Sequence, residues 1–169
     1  MAKFQMQGIS KYIKQLESVA WASKAVCQAA VYKGAEVVAD EIKKGIWGLN
    51  TVSDAEARAA YQKSVPTLIS VKQKRGLIDS FGIAPIADKY GVISTKLGFD
   101  GYNDIVTDQW PNGQPNALIA RACESGSTAM IKQPFMRPTE KRVRKRAEEA
   151  MEDAADKKLQ EILGGKNNG

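Results

Sequence analysis

Histidine is absent from this 169-residue chain. That removes the commonest proton shuttle and the usual Ser–His and Cys–His nucleophile pairs. Cysteine is almost absent: Cys27 and Cys123 stand far apart. A Cys-only metal site needs more ligands at closer spacing, so the two read as buried, reduced thiols. No apolar run approaches the roughly 18 residues of a membrane span, and Met1–Gln5 lacks the apolar core of a signal peptide. The expectation is a protein made in a cytoplasm, with no membrane partner. No phosphate-binding glycine loop occurs, and Asp100 and Asp104 lack the oxygen-ligand series of a calcium loop. No metal, cofactor or catalytic residue is therefore expected. Asp79-Ser80 reads as a local backbone hydrogen bond at a helix-to-strand junction, not as an activated hydroxyl.

Positive charge is abundant in one place. The chain carries a net +6, and Lys132–Arg146 alone sets seven basic residues against one acid, Glu140. The excess is therefore a single patch, which calls for an acidic protein surface or a polyanion. Within it Lys141, Arg142, Arg144, Lys145 and Arg146 surround only Val143. Glu148, Glu149, Glu152 and Asp153 follow at distances that allow pairing along a helix, in the less favourable acid-after-base order. The run has no interleaved aromatic residues of the kind that stack on bases.

The length suits one domain, with a 43% apolar fraction for a modest core. Met6–Leu16 reads as a short helix capped by Ser10. Ser23–Lys44 reads as a long one, its stripe running through Cys27, Ala30, Val31, Gly34, Val37, Val38 and Ile42. Gly34 in that stripe implies a close crossing, and Trp21 reads as packing between the two helices. Gly45, Gly48 and Asn50 read as breakers. Ser53-Asp54-Ala55-Glu56 has the capping-box pattern of a further short helix ending before Pro66. Residues 45–70 are read as a variable insertion or arm. Ser80–Ile86 and Val92–Phe99 read as two strands joined through residues 88–91; Ile93, Thr95, Leu97 and Phe99 share one face of the second. Trp110–Asn116 reads as an exposed loop, Ala117–Glu124 as a short helix and Glu124-Ser125-Gly126 as a turn with Glu124 solvated or paired to an arginine. Pro138–Leu163 is the second long helix, Pro138 in its first turn. Residues 164–169 read as a disordered tail.

Four segments recur in a definite order: KRGLIDSFGIAPI from Lys74, KLGFDGYN from Lys96, Glu124-Ser125-Gly126, and PFMRPTEKRVRKR from Pro134. Together they resemble the small neck and tail-completion proteins of long-tailed bacteriophages. Lys74, Gly76, Leu77, Asp79, Ser80, Glu124, Gly126, Pro134 and Phe135 carry the likeness. It implies a structural virion protein in the neck or tail, a subunit of a hexameric or dodecameric ring that joins the tail tube to the head-closure complex. Its neighbours would be further copies of itself, a head-closure or adaptor protein, and a tail terminator or tail tube protein. Double-stranded DNA would pass through the channel without sequence readout. The alternatives are a basic nucleic-acid-binding module acting in phage assembly, or a tail terminator. The expected fold is α+β: a small antiparallel sheet on two long helices, with projecting loops and residues 1–163 as one domain. Phe81, Leu97, Phe99 and Phe135 are assigned to the core. Arg137, Lys141, Arg142, Arg144, Lys145, Trp47 and Trp110 are assigned to partner contacts.

Overall fold

The computed structural model describes the backbone of residues 9–164 and the side chains of residues 20–162. The fold is α+β, with two long helices beside small antiparallel strand pairs. The first helix, α1, is continuous over Ile9–Trp47. Two helices were expected here. Glu17–Ser23 contains no glycine or proline, so nothing in it stops a helix from propagating. Ser10 lies inside α1 and not at its cap, Met6–Gly8 fall outside the described residues, and Trp21 stands 67% exposed without a second helix to pack against. Gly45 is also helical. A Cβ there would meet Phe135 Cβ and its carbonyl oxygen at 3.3 Å, so the glycine permits contact and does not break the helix.

The other long helix, α5 (Arg137–Gly164), runs antiparallel to α1: Gly45 faces Phe135 and Gly34 faces Met151. A Cβ on Gly34 would lie 2.6 Å from Met151 Cγ, which is the close crossing its position implied. Ala30, Ile42, Ile46, Val143 and Ala147 are buried along this pair. Cys27 is exposed and only Cys123 is buried, correcting the reading of two buried thiols. Residues 165–169, the rest of the expected tail, lie outside the described residues, while Gly164 closes α5.

Between the long helices the chain builds the rest of the core. Strand β1 (Thr51–Val52) pairs in parallel with β2 (Ile69–Ser70), and α2 (Asp54–Gln62) rides between them with no buried residue. Ser53 and Glu56 form the expected capping box. The outlying part of segment 45–70 is thus α2 and its turn; Ile46, Leu49, Ile69 and Ser70 belong to the buried interior. Helix α3 (Val71–Ser80) was given no bounds in advance, but it meets the next strand at the helix-to-strand junction read at Asp79-Ser80. Ser70 accepts from Gln73 N–H while the Gln73 side chain accepts from Ser70 N–H, a second capping box.

The hairpin is one ribbon with a fault in it. Strand β3 (Phe81–Ile83) pairs antiparallel with β6 (Leu97–Phe99), and β4 (Ala87–Lys89) with β5 (Val92–Ser94). Three residues, Ala84-Pro85-Ile86, lie opposite two, Thr95-Lys96. The extra residue falls at the proline, which has no N–H to donate. Ile93, Thr95, Leu97 and Phe99 are partly buried; on the other face Ser94 and Lys96 are exposed, as the alternation predicted, while Gly98 is partly buried. Phe81, Phe99 and Phe135 stack in sequence at centroid distances of 5.0 and 6.1 Å, and join Leu97, Leu77, Ile119 and Cys123 in the core.

At the hairpin tip Tyr90 and Gly91 have φ of +55° and +79°. Two positive φ values in a two-residue loop match a type I′ turn, where a bulky L-residue is strained at the first position. Tyr90 is fully exposed, so its ring offers no compensating packing. Tyr90→Asn is expected to raise stability by about 0.5–1 kcal/mol. A thermal melt at or below that of the parent would refute this.

Candidate interaction surface

From Arg137 to Arg146 the basic run occupies the first three turns of α5, and the helix divides it into two faces. Thr139, Val143 and Ala147 are buried toward α1. Arg142 and Arg146 flank that stripe and reach across to Glu41: Arg142 Nη2 lies 3.3 Å and Arg146 Nη1 3.4 Å from its carboxylate oxygens. Lys44 Nζ approaches the same carboxylate at 2.5 Å. The Lys44 ammonium holds the Glu41 carboxyl below its ordinary value against the upward push of burial, with Arg146 adding to the effect. Arg142, assigned to partner contact, thus ties α5 to α1 through Glu41 while its side chain remains largely exposed. Arg137, Lys141, Arg144 and Lys145 recur at spacings that place them on the opposite, outward face. Arg144 pairs with Glu148 at 3.0 Å and Lys145 with Glu149 at 3.7 Å. Exposed pairs of this kind contribute only about 0.3–0.5 kcal/mol each, so both side chains can exchange partners readily. Among the described residues, Arg137 and Lys141 have no ion pair.

Glu124 sits at the start of α5, and it is buried, not solvated. Its carboxylate accepts from three consecutive backbone N–H groups: Phe135 at 2.8 Å, Met136 at 2.9 Å and Arg137 at 3.1 Å. The Met136 and Arg137 N–H groups are among the donors α5 leaves without internal partners, Phe135 N–H lies just before them, and the next residue, Pro138, has none to offer. Burial pushes the carboxyl upward. The N–H groups of Met136, Phe135 and Arg137, with the Arg137 charge, outweigh it and hold the group below its ordinary value. The turn expected at Glu124-Ser125-Gly126 is real: Gly126, at φ +79°, ends α4 (Asn116–Ser125). Glu124 itself caps α5 from a neighbouring helix. Beside it, burial and the Glu124 charge push the Cys123 thiol up to about 11, so it stays protonated at neutral pH.

Of the other signature residues, Lys74, Gly76 and Leu77 are fastenings as well. Lys74 Nζ donates to the carbonyls of Trp47 at 2.7 Å and Leu49 at 2.8 Å, closing the C-terminal end of α1. A Cβ on Gly76 would lie 2.7 Å from Asn116 Oδ1 and 2.9 Å from Asn103 Cβ, so α3 meets the 102–116 segment through a bare backbone. Leu77 is fully buried. The expected local hydrogen bond at Asp79-Ser80 is not formed. Asp79 instead lies 3.7 Å from Arg75 Nε, and Ser80 Oγ is buried without a partner.

The two tryptophans differ. Trp47 stands 64% exposed at the end of α1. Trp110 is only half-buried and serves its own loop, exchanging backbone hydrogen bonds with Thr107 at 2.9 and 3.2 Å. That loop is firmly tied. Asn103 N–H donates to the Gln114 carbonyl at 2.9 Å, and Asn103 Oδ1 accepts from Ile105 N–H at 2.9 Å and Gln114 N–H at 3.3 Å. Gly113 is buried at its neck, not exposed as the loop reading implied. Among the described residues no group of His, Cys, Asp and Glu side chains could hold a metal ion, and no helix is long and apolar enough to cross a membrane.

The chain matches no protein-family model, no curated protein and no solved structure.

Proposed function

We propose that this chain is a structural subunit of a phage head–tail connector: a neck or tail-completion protein that forms a ring, joins the tail tube to the head-closure complex and passes DNA. The observation that carries the reading is where its signature residues fall. Six of the nine residues that bear the resemblance, Lys74, Gly76, Leu77, Glu124, Gly126 and Phe135, also close α1, cap α5, end α4 and fill the core between them. Such residues specify a scaffold, which suits a family defined by its architecture and leaves the outer surface to set the neighbours. Exposed apolar side chains on that surface, Trp47, Tyr61 and Val106 among them, are suited to protein contact.

A basic nucleic-acid-binding module is the second reading, favoured by the outward stripe of Arg137, Lys141, Arg144 and Lys145. Pairing of the last two with Glu148 and Glu149 reduces its charge. Four phosphate contacts would give a log–log salt slope of about −3.6 on duplex DNA; a slope near zero counts against this module. The connector role is tested by electron microscopy of particles made without the protein. Filled heads and finished tails that remain unjoined are expected, and normally joined particles would overturn the role.

A further inference from the structure

A cleft of about 490 Å³ opens between β6, α4 and the start of α5. Its floor is apolar, with Phe99, Ala117, Ala120 and Met136. Arg121 and Arg137 stand on its rim, both exposed, and neither has an ion pair among the described residues. Glu124 also lines the cleft, but its carboxylate is bound to the three N–H groups that open α5. The rim is therefore left cationic over a greasy base.

The same chain carries an exposed loop of complementary charge. In the loop held at Asn103 and Gln114, Val106 stands 67% exposed between Asp104 and Asp108, both of them exposed. Neither aspartate forms an ion pair among the described residues. The ties at its neck and the Thr107–Trp110 turn hold this knuckle in shape. A preformed projection loses little conformational freedom on docking.

We infer that the knuckle of one copy seats in the cleft of a second copy, Val106 on the apolar floor and Asp104 and Asp108 against Arg121 and Arg137. Knuckle and cleft are different surfaces, so the contact is head-to-tail, the kind that closes a ring when the rotation allows it. The assignment rests on the ring reading for its biological setting, while its chemistry stands on the charge and shape of the two sites. Opposite charges across such a contact fix its register.

The test is self-association of the purified chain by sedimentation velocity over a concentration series, with circular dichroism as the folding control. Arg121→Glu with Arg137→Glu is expected to weaken association at least about tenfold, and Asp104→Arg with Asp108→Arg to do the same. Combining all four substitutions restores it, because the pairs re-form with their signs exchanged. Val106→Asp, which leaves all four native charges in place, weakens association too. A parent chain that stays monomeric throughout overturns the contact, as do double variants that associate like the parent or a quadruple variant that does not recover. Undisturbed association in the double variants would leave the ring reading standing. Normally joined particles without the protein would overturn the ring reading, and charge-swap rescue would still establish this contact.

Discussion

Replacing Glu124 with alanine is expected to lower folding stability by about 3 kcal/mol, the scale of a lost charged hydrogen-bond acceptor whose buried donors are left unpaired. Three backbone N–H groups, at Phe135, Met136 and Arg137, converge on one carboxylate. Phe135 is itself buried, so water cannot readily replace the lost acceptor there. Glutamine keeps one acceptor oxygen and loses the charge that complements the helix dipole, so its effect falls between parent and alanine. The pH dependence has a definite sign. The carboxyl of Glu124 is lowered in the folded chain, so its contribution is complete above the ordinary glutamate value of about 4.3. It is lost as the pH falls through the lower folded value. Urea melts at neutral and acidic pH should show a smaller acid loss in the glutamine variant than in the parent. An alanine variant within about 0.5 kcal/mol of the parent, the range of an ordinary surface change, would refute the cap.

Gly113→Ala is expected to cost about as much, roughly 3 kcal/mol, from backbone strain plus steric displacement. Gly113 has φ of +93°, where a side chain is strained, and its added Cβ would fall 1.9 Å from the Asn103 carbonyl oxygen. That atom is backbone, so no rotamer change can clear it. The neck must open, which breaks the Asn103-to-Gln114 hydrogen bond and frees the knuckle. Denaturant melts would measure the loss, and amide chemical-shift changes concentrated in residues 101–116 would locate it. Parent-like stability with unchanged shifts would show that the loop does not need this glycine.

What could be read in advance follows from the range of each interaction. The strand through Ile93, Thr95, Leu97 and Phe99 was visible because alternation is a local signal, and the Ser53 capping box was visible for the same reason. Helix α3 had an equally local signal in Ser70 and Gln73. Its end was read at the Asp79-Ser80 junction, but its start was not, because Val71–Ser80 buries only Leu77. The two-helix reading of residues 6–44 assigned a break where no breaker stands. Glu41 and Glu124 are different in kind. Glu41 meets an arginine 101 positions away, and Glu124 meets amides 11 to 13 positions away. Neither spacing leaves a periodic trace. The basic run was plain as a count of charges, but its division into ties and outward groups depends on how α5 is rotated against α1.

The fault at Pro85 bears on what the edges of the hairpin can pair with. A two-stranded ribbon has two unpaired margins, each able to recruit a strand from elsewhere. Where the register slips by one residue and an imide nitrogen interrupts the row of donors, a second ribbon cannot align along the whole length. Edge-to-edge pairing of two such hairpins is thereby limited to short stretches on either side of the proline.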